Sequence, residues 1–246
     1  MNTQTDTVAS LTTSAPPAAK GNVQGWIYDQ VFAAILEQRL APETKLSEDT
    51  LGEIFGVSRT VIRAVLQRLS HDSVVEIRPN RGAVVASLSV EEVHDVFEAR
   101  RVIENGAIEL ACQRRKNTDI AALKDLVVDE QKAFENDDKS AWIRLSGEFH
   151  LRLAAIAGNK TLGDTLRALV SRTSLAISQY ETPGRSACSQ QEHFAIIDAI
   201  AAGDTEVAQR EMTQHLAECE ARLDLNDQDN GSDLRAIFSN IRSKGD

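Results

Sequence analysis

Residues 47–86 read SEDTLGEIFGVSRTVIRAVLQRLSHDSVVEIRPNRGAVVA, and this stretch decides the fold. Ser47 is a good helix N-cap, because its hydroxyl can accept a hydrogen bond from an unpaired N–H of the first turn. Glu48 and Asp49 follow, where the helix dipole favours negative charge. Leu51, Ile54 and Phe55 give an apolar i, i+3, i+4 face, and Gly56 can take the left-handed conformation that ends a helix. Ser58 then caps a second helix whose inner face is Ile62, Val65, Leu66 and Leu69. Its first residues and outer face show Ser58, Arg59, Thr60, Arg63 and Gln67, types that bond phosphates or base edges in a major groove. Two β-branched runs, VVEI (74–77) and AVVA (83–86), flank the turn-rich RPNRG. Gly82 lets a backbone approach DNA closely, and Arg81 suits a minor groove or a phosphate. Between residues 57 and 82, five arginines stand against Asp72 and Glu76. The order of cap, turn, outward polar face and wing predicts a winged helix-turn-helix. The bland alternative is a helical hairpin whose arginines are merely solvated.

Working outward, residues 1–20 (MNTQTDTVASLTTSAPPAAK) lack periodicity and read as a disordered tail. A supporting helix is expected at about 24–39 through Trp26, Val31, Ile35 and Leu40, ended by Ala41-Pro42. The DNA-reading domain is therefore placed at 21–87, with 86–89 as a short linker and Ser89 as the next cap. Six amphipathic helices follow, at about 89–115, 117–136, 139–158, 160–181, 189–202 and 205–224. Their breaks are Asn117, Asp137-Asp138, Gly158-Asn159, Pro183-Gly184 and Gly203-Asp204. Long helices on short connections make an antiparallel bundle, placed at 88–225, and the polar residues 226–246 read as a C-terminal tail. The fold class is mainly α: a winged helix-turn-helix followed by an all-α bundle.

The net charge of −10 argues against indiscriminate nucleic-acid binding. Its distribution narrows the argument: residues 1–87 carry 8 basic and 9 acidic side chains, residues 88–246 carry 19 and 28. A near-neutral head with a basic reading face should bind DNA specifically and weaken steeply with salt. Three cysteines (Cys112, Cys188, Cys219), an odd and sparse count without a secretory leader, predict a reducing cytoplasm. Cys112 and Cys219 fall among apolar positions and read as buried thiols. No apolar run has the length of a membrane span.

The five histidines divide in two. His71 and His94 lie at a helix end and on an exposed face and receive no role. His150 shares a face with Phe149, Leu153 and Ala157; His193 with Ile196, Ile197 and Ile200; His215 with Met212, Leu216 and Cys219. One such imidazole is more often a core residue bonded to a neighbour. Three, on three helices of a bundle, can meet and hold zinc, nickel, iron or copper with positions left open.

GVSRTVIRAVLQRL followed by RPNRG resembles the winged helix of the GntR family of bacterial transcription factors, and the following domain resembles the FCD effector domain of its FadR subfamily, in the VanR-like six-helix branch. The resemblance runs from about residue 22 to 225. Family members usually show GVSRTPVREAL; here Val61 replaces the proline and Ala64 the glutamate. The resemblance implies DNA contacts for Arg59, Thr60, Arg63 and Gly82, and it places Asp49 where the family has a basic contact. It further implies a divalent metal, zinc or nickel, held by His150, His193 and His215. The aspartate of the family's Asp-x-x-x-His is Ser146 here, so the anionic ligand is missing. Glu148 points roughly opposite to His150 and is not recruited. The family's E-x-R-x-x-x-E pattern falls on Glu98, Arg100 and Glu104 and implies an effector contact for Arg100; without the resemblance, Arg100–Glu104 is an i, i+4 surface pair. Arg172 could also reach inward, since arginine pairs carboxylates in bidentate fashion. Asn159 matches a recurrent family residue, or is a helix C-cap.

The expectation is a cytoplasmic, homodimeric repressor of a catabolic operon, bound to operator DNA and released by a small carboxylate effector. Two alternatives stand. A three-histidine enzyme would need a general base, for which Glu148 and Asp198 are candidates by position alone. An architectural DNA protein would have no use for inward histidines.

Overall fold

The computed structural model describes residues 23–36, 39–79, 82–180 and 190–225. The tails at 1–20 and 226–246, Arg81, the Pro183-Gly184 break and Cys188 lie outside the described residues. The head opens with α1 (Val23–Leu36), β1 (Lys45–Leu46), α2 (Glu48–Phe55) and α3 (Arg59–His71), and closes with β2 (Val75–Arg78) and β3 (Gly82–Val85). Ser47 accepts from the Thr50 N–H and Gly56 ends α2 at φ 66°, as the caps predict. Ser58 holds the N-cap position of α3, but its hydroxyl makes no cap hydrogen bond.

Two expectations in the head are corrected. Ile54 is 68% exposed: α2 is eight residues long and turns Leu51 and Phe55 inward, with Phe55 meeting Trp26 edge-on at 5.6 Å. The wing has three strands, in the antiparallel order β1-β3-β2, with Leu46 opposite Ala83 and Arg78 opposite Gly82. Two residues are too few to show a period of two, so β1 leaves no signal in the sequence.

The remainder is helical: α4 (Val90–Arg114), α5 (Asn117–Glu135), α6 (Lys139–Ala157), α7 (Lys160–Tyr180), α8 (Gln190–Ala202) and α9 (Thr205–Ala221). Among the described residues these are the six expected helices, within a few residues at each end. Ser89 and Glu92 form a full capping box on α4. Gly158 and Gly203 take positive φ where α6 and α8 stop. Asn159 is not a C-cap: its Oδ1 accepts from the Leu162 N–H and starts α7.

The central element is α4, which packs against α6, α7, α8 and α9. Its Val93, Val96, Phe97, Ala107, Ile108 and Ala111 are buried. One apolar core runs without a break from Ile27, Val31 and Ile35 of the head, through Leu88, into the bundle. The end of α7 fixes the joint. Ser178 donates to the Ile35 carbonyl (3.3 Å), Gln179 both accepts from and donates to the Leu88 backbone at 3.1 Å, and the Tyr180 hydroxyl donates to the Leu88 carbonyl.

Candidate functional site

Two constellations gather functional side chains. The first is on α3. Ser58, Arg59, Thr60, Arg63 and Gln67 are all exposed, as is Gly82 at φ 77°. Arg63, Gln67 and Gly82 line one cleft of about 400 Å³ between α3 and the wing, joined there by Lys45 and Glu48. Lys45 was not singled out in the sequence; its place in the cleft follows from β1. The arginines are not free. Arg63 donates to both oxygens of Glu48 (2.9 and 2.7 Å), and Arg59 pairs with Asp49. The first turn of α2 thus sets two carboxylates against Arg59 and Arg63. Bidentate geometry holds the Glu48 carboxyl below its usual range.

The second constellation is buried. His150 of α6, His193 of α8 and His215 of α9 are 2%, 0% and 1% exposed. Their ligand nitrogens lie within 4.8 Å of one another. His193 Nε2 and His215 Nε2 are 3.3 Å apart. Each imidazole is held from behind by a carboxylate on its Nδ1: His150 by Glu104 (2.5 Å), His193 by Glu130 (2.8 Å) and His215 by Glu192 (2.7 Å). An Nδ1–H given to a carboxylate leaves Nε2 as a bare acceptor facing inward. Two such acceptors at 3.3 Å repel unless a proton or a cation lies between them.

At His150 and His215 the protein disfavours the proton. Burial pushes the His150 imidazole down to about 4, against the pull of Glu104. Burial, with His193 and His150 nearby, pushes His215 well below its ordinary range. A divalent cation is the other remedy, and the donor set fits one: for metal–nitrogen bonds near 2.0–2.1 Å, a tetrahedral edge is roughly 3.3 Å. Ser146 is buried one turn before His150, a neutral hydroxyl where a carboxylate would help. Cys219 Sγ lies 3.8 Å from His215 Nε2 and 3.9 Å from its Nδ1, and with Glu192 and His215 it makes a second, overlapping group of possible metal ligands.

Arg100 and Glu104 are 3% and 1% exposed, so the surface-pair reading is corrected. Arg100 Nε donates to Glu104 Oε1 at 2.7 Å. Its Nη2 lies 2.7 Å from the same Glu104 oxygen, in the ion pair but out of line for a hydrogen bond. Burial works against the Glu104 charge, yet Arg100 and His150 outweigh it and hold the carboxyl down to about 2. The result is a buried ion pair beside the histidines, with Nε and Nη2 of Arg100 both turned to Glu104. Arg172 does not reach inward: it is 29% exposed and donates to Glu92 at the start of α4 (3.1 Å). Neither candidate base for an enzyme fits. Glu148 pairs with Arg152 on the α6 surface, and Asp198 is 66% exposed against Lys124.

Glu130 and Glu192 were missed in the sequence. Glu130 had a signal, a fully buried acid on the Leu123, Leu126, Val127, Ala133 stripe of α5. Glu192 precedes His193 and gave none.

Residues 24–85 match the family described as bacterial regulatory proteins, gntR family, and residues 95–218 match the FCD domain. The Nta operon transcriptional regulator of Aminobacter aminovorans is 30% identical over 135 residues, 55% of this chain and 64% of that protein. The HTH-type transcriptional repressor RspR of Escherichia coli K12 is 28% identical over 195 residues, 78% of this chain and 85% of that one. Among solved structures, E. coli McbR/YncC superposes with a TM-score of 0.69 at 20% identity, covering 80% of this chain and 95% of its own. A GntR regulator from Rhodococcus sp. RHA1 gives 0.68 at 22%, with the same coverage. At these identities the structural likeness is one of fold.

Proposed function

The chain belongs to the gntR family of bacterial regulatory proteins with an FCD domain, a DNA-binding transcriptional regulator and not an enzyme, and from that premise we propose that it is a metal-dependent repressor of a catabolic operon, released by a small carboxylate. The head (21–87) reads a pseudo-palindromic operator as part of a homodimer, through Ser58, Arg59, Thr60, Arg63 and Gln67 in the major groove and Arg81 and Gly82 at the wing. The bundle (88–225) senses. The relative RspR is named a repressor, which supports the sign. No described helix is long and apolar enough to cross a membrane, which agrees with work in the cytoplasm.

His150, His193 and His215 would hold zinc or nickel. The observation that carries this is the pair of Nε2 acceptors 3.3 Å apart, with both Nδ1 atoms committed to carboxylates. A metal there would supply a Lewis-acidic point for an effector carboxylate, and Ser146 leaves that point without an anionic protein ligand. Arg100, buried beside the histidines and paired with Glu104, adds positive charge for the same anion. Arg100 sits about three turns along the helix that starts at the linker, so an effector that moves α4 moves the head. A hundredfold loss of operator affinity requires about 2.7 kcal/mol of coupling.

The test has two parts. Elemental analysis should find about one equivalent of zinc or nickel per chain, lost in His193→Ala. Small carboxylates titrated against the metal-loaded protein on an operator selected from random duplexes should include one that weakens binding. No uptake after incubation with both metals ends the metal reading. Operator affinity unmoved by every carboxylate ends the sensing reading.

A further inference from the structure

A second basic site lies outside the histidine centre. Where the head rests on the bundle, α1 and α3 face α6 and α7 across a cavity of about 400 Å³. Three arginines from three helices line it: Arg68 of α3, Arg144 of α6 and Arg167 of α7. None makes an ion pair among the described residues. Arg68 is steadied by lying over the Tyr28 ring, 4.0 Å from its centroid, and the Tyr28 hydroxyl donates to buried Asp72 (2.8 Å). The three charges share one neighbourhood: Asp29 feels both Arg68 and Arg144, and Tyr28 feels both Arg68 and Arg167.

The chain has 37 acidic residues against 27 basic ones, so counter-charges are plentiful. Those around this cavity are engaged elsewhere. Glu148 is bonded to Arg152, Asp164 to Lys160 and Asp72 to Tyr28; Asp29 alone among the described lining carboxylates is uncommitted. Three positive charges set against the single uncommitted carboxylate of Asp29 leave an excess of positive charge, and guanidinium forks match phosphate and carboxylate oxygens. Arg68 is on the helix that reads DNA but turned from its reading face, toward the bundle.

We propose that this junction is a binding site for a small polyanion, a metabolite with two or more phosphate or carboxylate groups, clamped by Arg68, Arg144 and Arg167. Bound there, it ties the recognition helix to α6 and α7 and biases the placement of the head. The site is independent of the histidine centre and gives the protein a second chemical input.

The test uses full-length, EDTA-treated protein and calorimetric titration with pyrophosphate and with citrate. One site per chain is expected for at least one of the two anions, undiminished in His193→Ala. It should weaken by about tenfold or more in the Arg144→Gln/Arg167→Gln double variant. Both positions are exposed, which leaves the core intact, and Arg68 is spared because it packs on Tyr28. The same anion should change the operator affinity of the wild type and not of the double variant. Three results would overturn the proposal: no heat with either anion, equal binding by wild type and double variant, or a double variant that turns monomeric where the wild type is a dimer. The last would make the arginines a contact with a second copy of the chain.

Discussion

The exposed face of α3 and the histidine centre both set glutamate or aspartate against a base, in opposite media. On α3 the partners stand in water: Arg59 is 70% exposed beside Asp49 at 52%, Arg63 60% beside Glu48 at 31%. Such pairs are screened, hold little energy, and can be exchanged for a phosphate at small cost. In the bundle, Glu104 with His150 and Glu130 with His193 are all but sealed from solvent. There a partner cannot be removed without stranding a charge or a polar group. Exposed pairs suit a surface that must trade partners; buried pairs suit a site that must hold its shape before its ligand arrives.

The largest way to sharpen that contrast is at the DNA. Arg59→Ala combined with Arg63→Ala should lower operator affinity by about a hundredfold or more, from roughly 1–3 kcal/mol per lost base contact, with melting temperature nearly unchanged. Fluorescence anisotropy with a labelled operator, beside a thermal melt, reads both. A large drop in melting temperature would mean the arginines hold the fold.

Next comes the buried side. Glu130→Gln keeps the shape and removes the charge behind His193. It should weaken metal binding by about 10–100-fold while operator recognition by the metal-loaded protein survives. Competition against a chromophoric chelator measures it, and unchanged affinity would show that the carboxylate behind the ring is idle.

Acid should separate the two regions a third way. The folded His150 value of about 4 lies below its ordinary 6.5, so the unfolded chain takes up the proton first as pH falls. Metal-free protein should therefore be at full stability above pH 6.5 and lose it between 6.5 and 4. Glu104, held at about 2 against an ordinary 4.5, adds the same sign at lower pH. Melts of EDTA-treated protein at pH 7 and pH 5 should differ by about 5 °C or more. A flat profile would mean that His150 takes up its proton in the fold as readily as in the unfolded chain.

The smallest effect is expected at α2. Glu48→Gln with Asp49→Asn frees Arg63 and Arg59, and should raise affinity for random DNA by a few-fold with a steeper salt dependence. Weaker binding instead would mean that the acids aim the arginines rather than restrain them.

Most of the backbone was legible in the sequence, because its signals are local. Gly56, Gly158 and Gly203 mark helix ends by their φ, Ser47 and Ser89 mark starts, and the 3.6-residue period sorts inner from outer faces. That period was enough to turn His150, His193 and His215 inward. It could not supply their partners: Glu104 is 46 residues from His150 and Glu130 is 63 from His193. Periodicity assigns a face, and only packing assigns a neighbour. Ile54 and Arg172 failed for the converse reason. A side chain suited to the interior went elsewhere, because α2 is short and Glu92 was nearer.

The bonds from Gln179 and Tyr180 to Leu88 bear on how such proteins diversify. A head grafted from another regulator at the linker would meet an α7 whose last turn is cut to fit this linker. Exchange of heads by recombination should then succeed when the crossover falls beyond Leu88 and the incoming chain still offers its carbonyl and N–H there. Because those contacts are to backbone, almost any linker sequence can satisfy them. The joint is specific in shape and permissive in sequence, a combination that would let one bundle carry many heads.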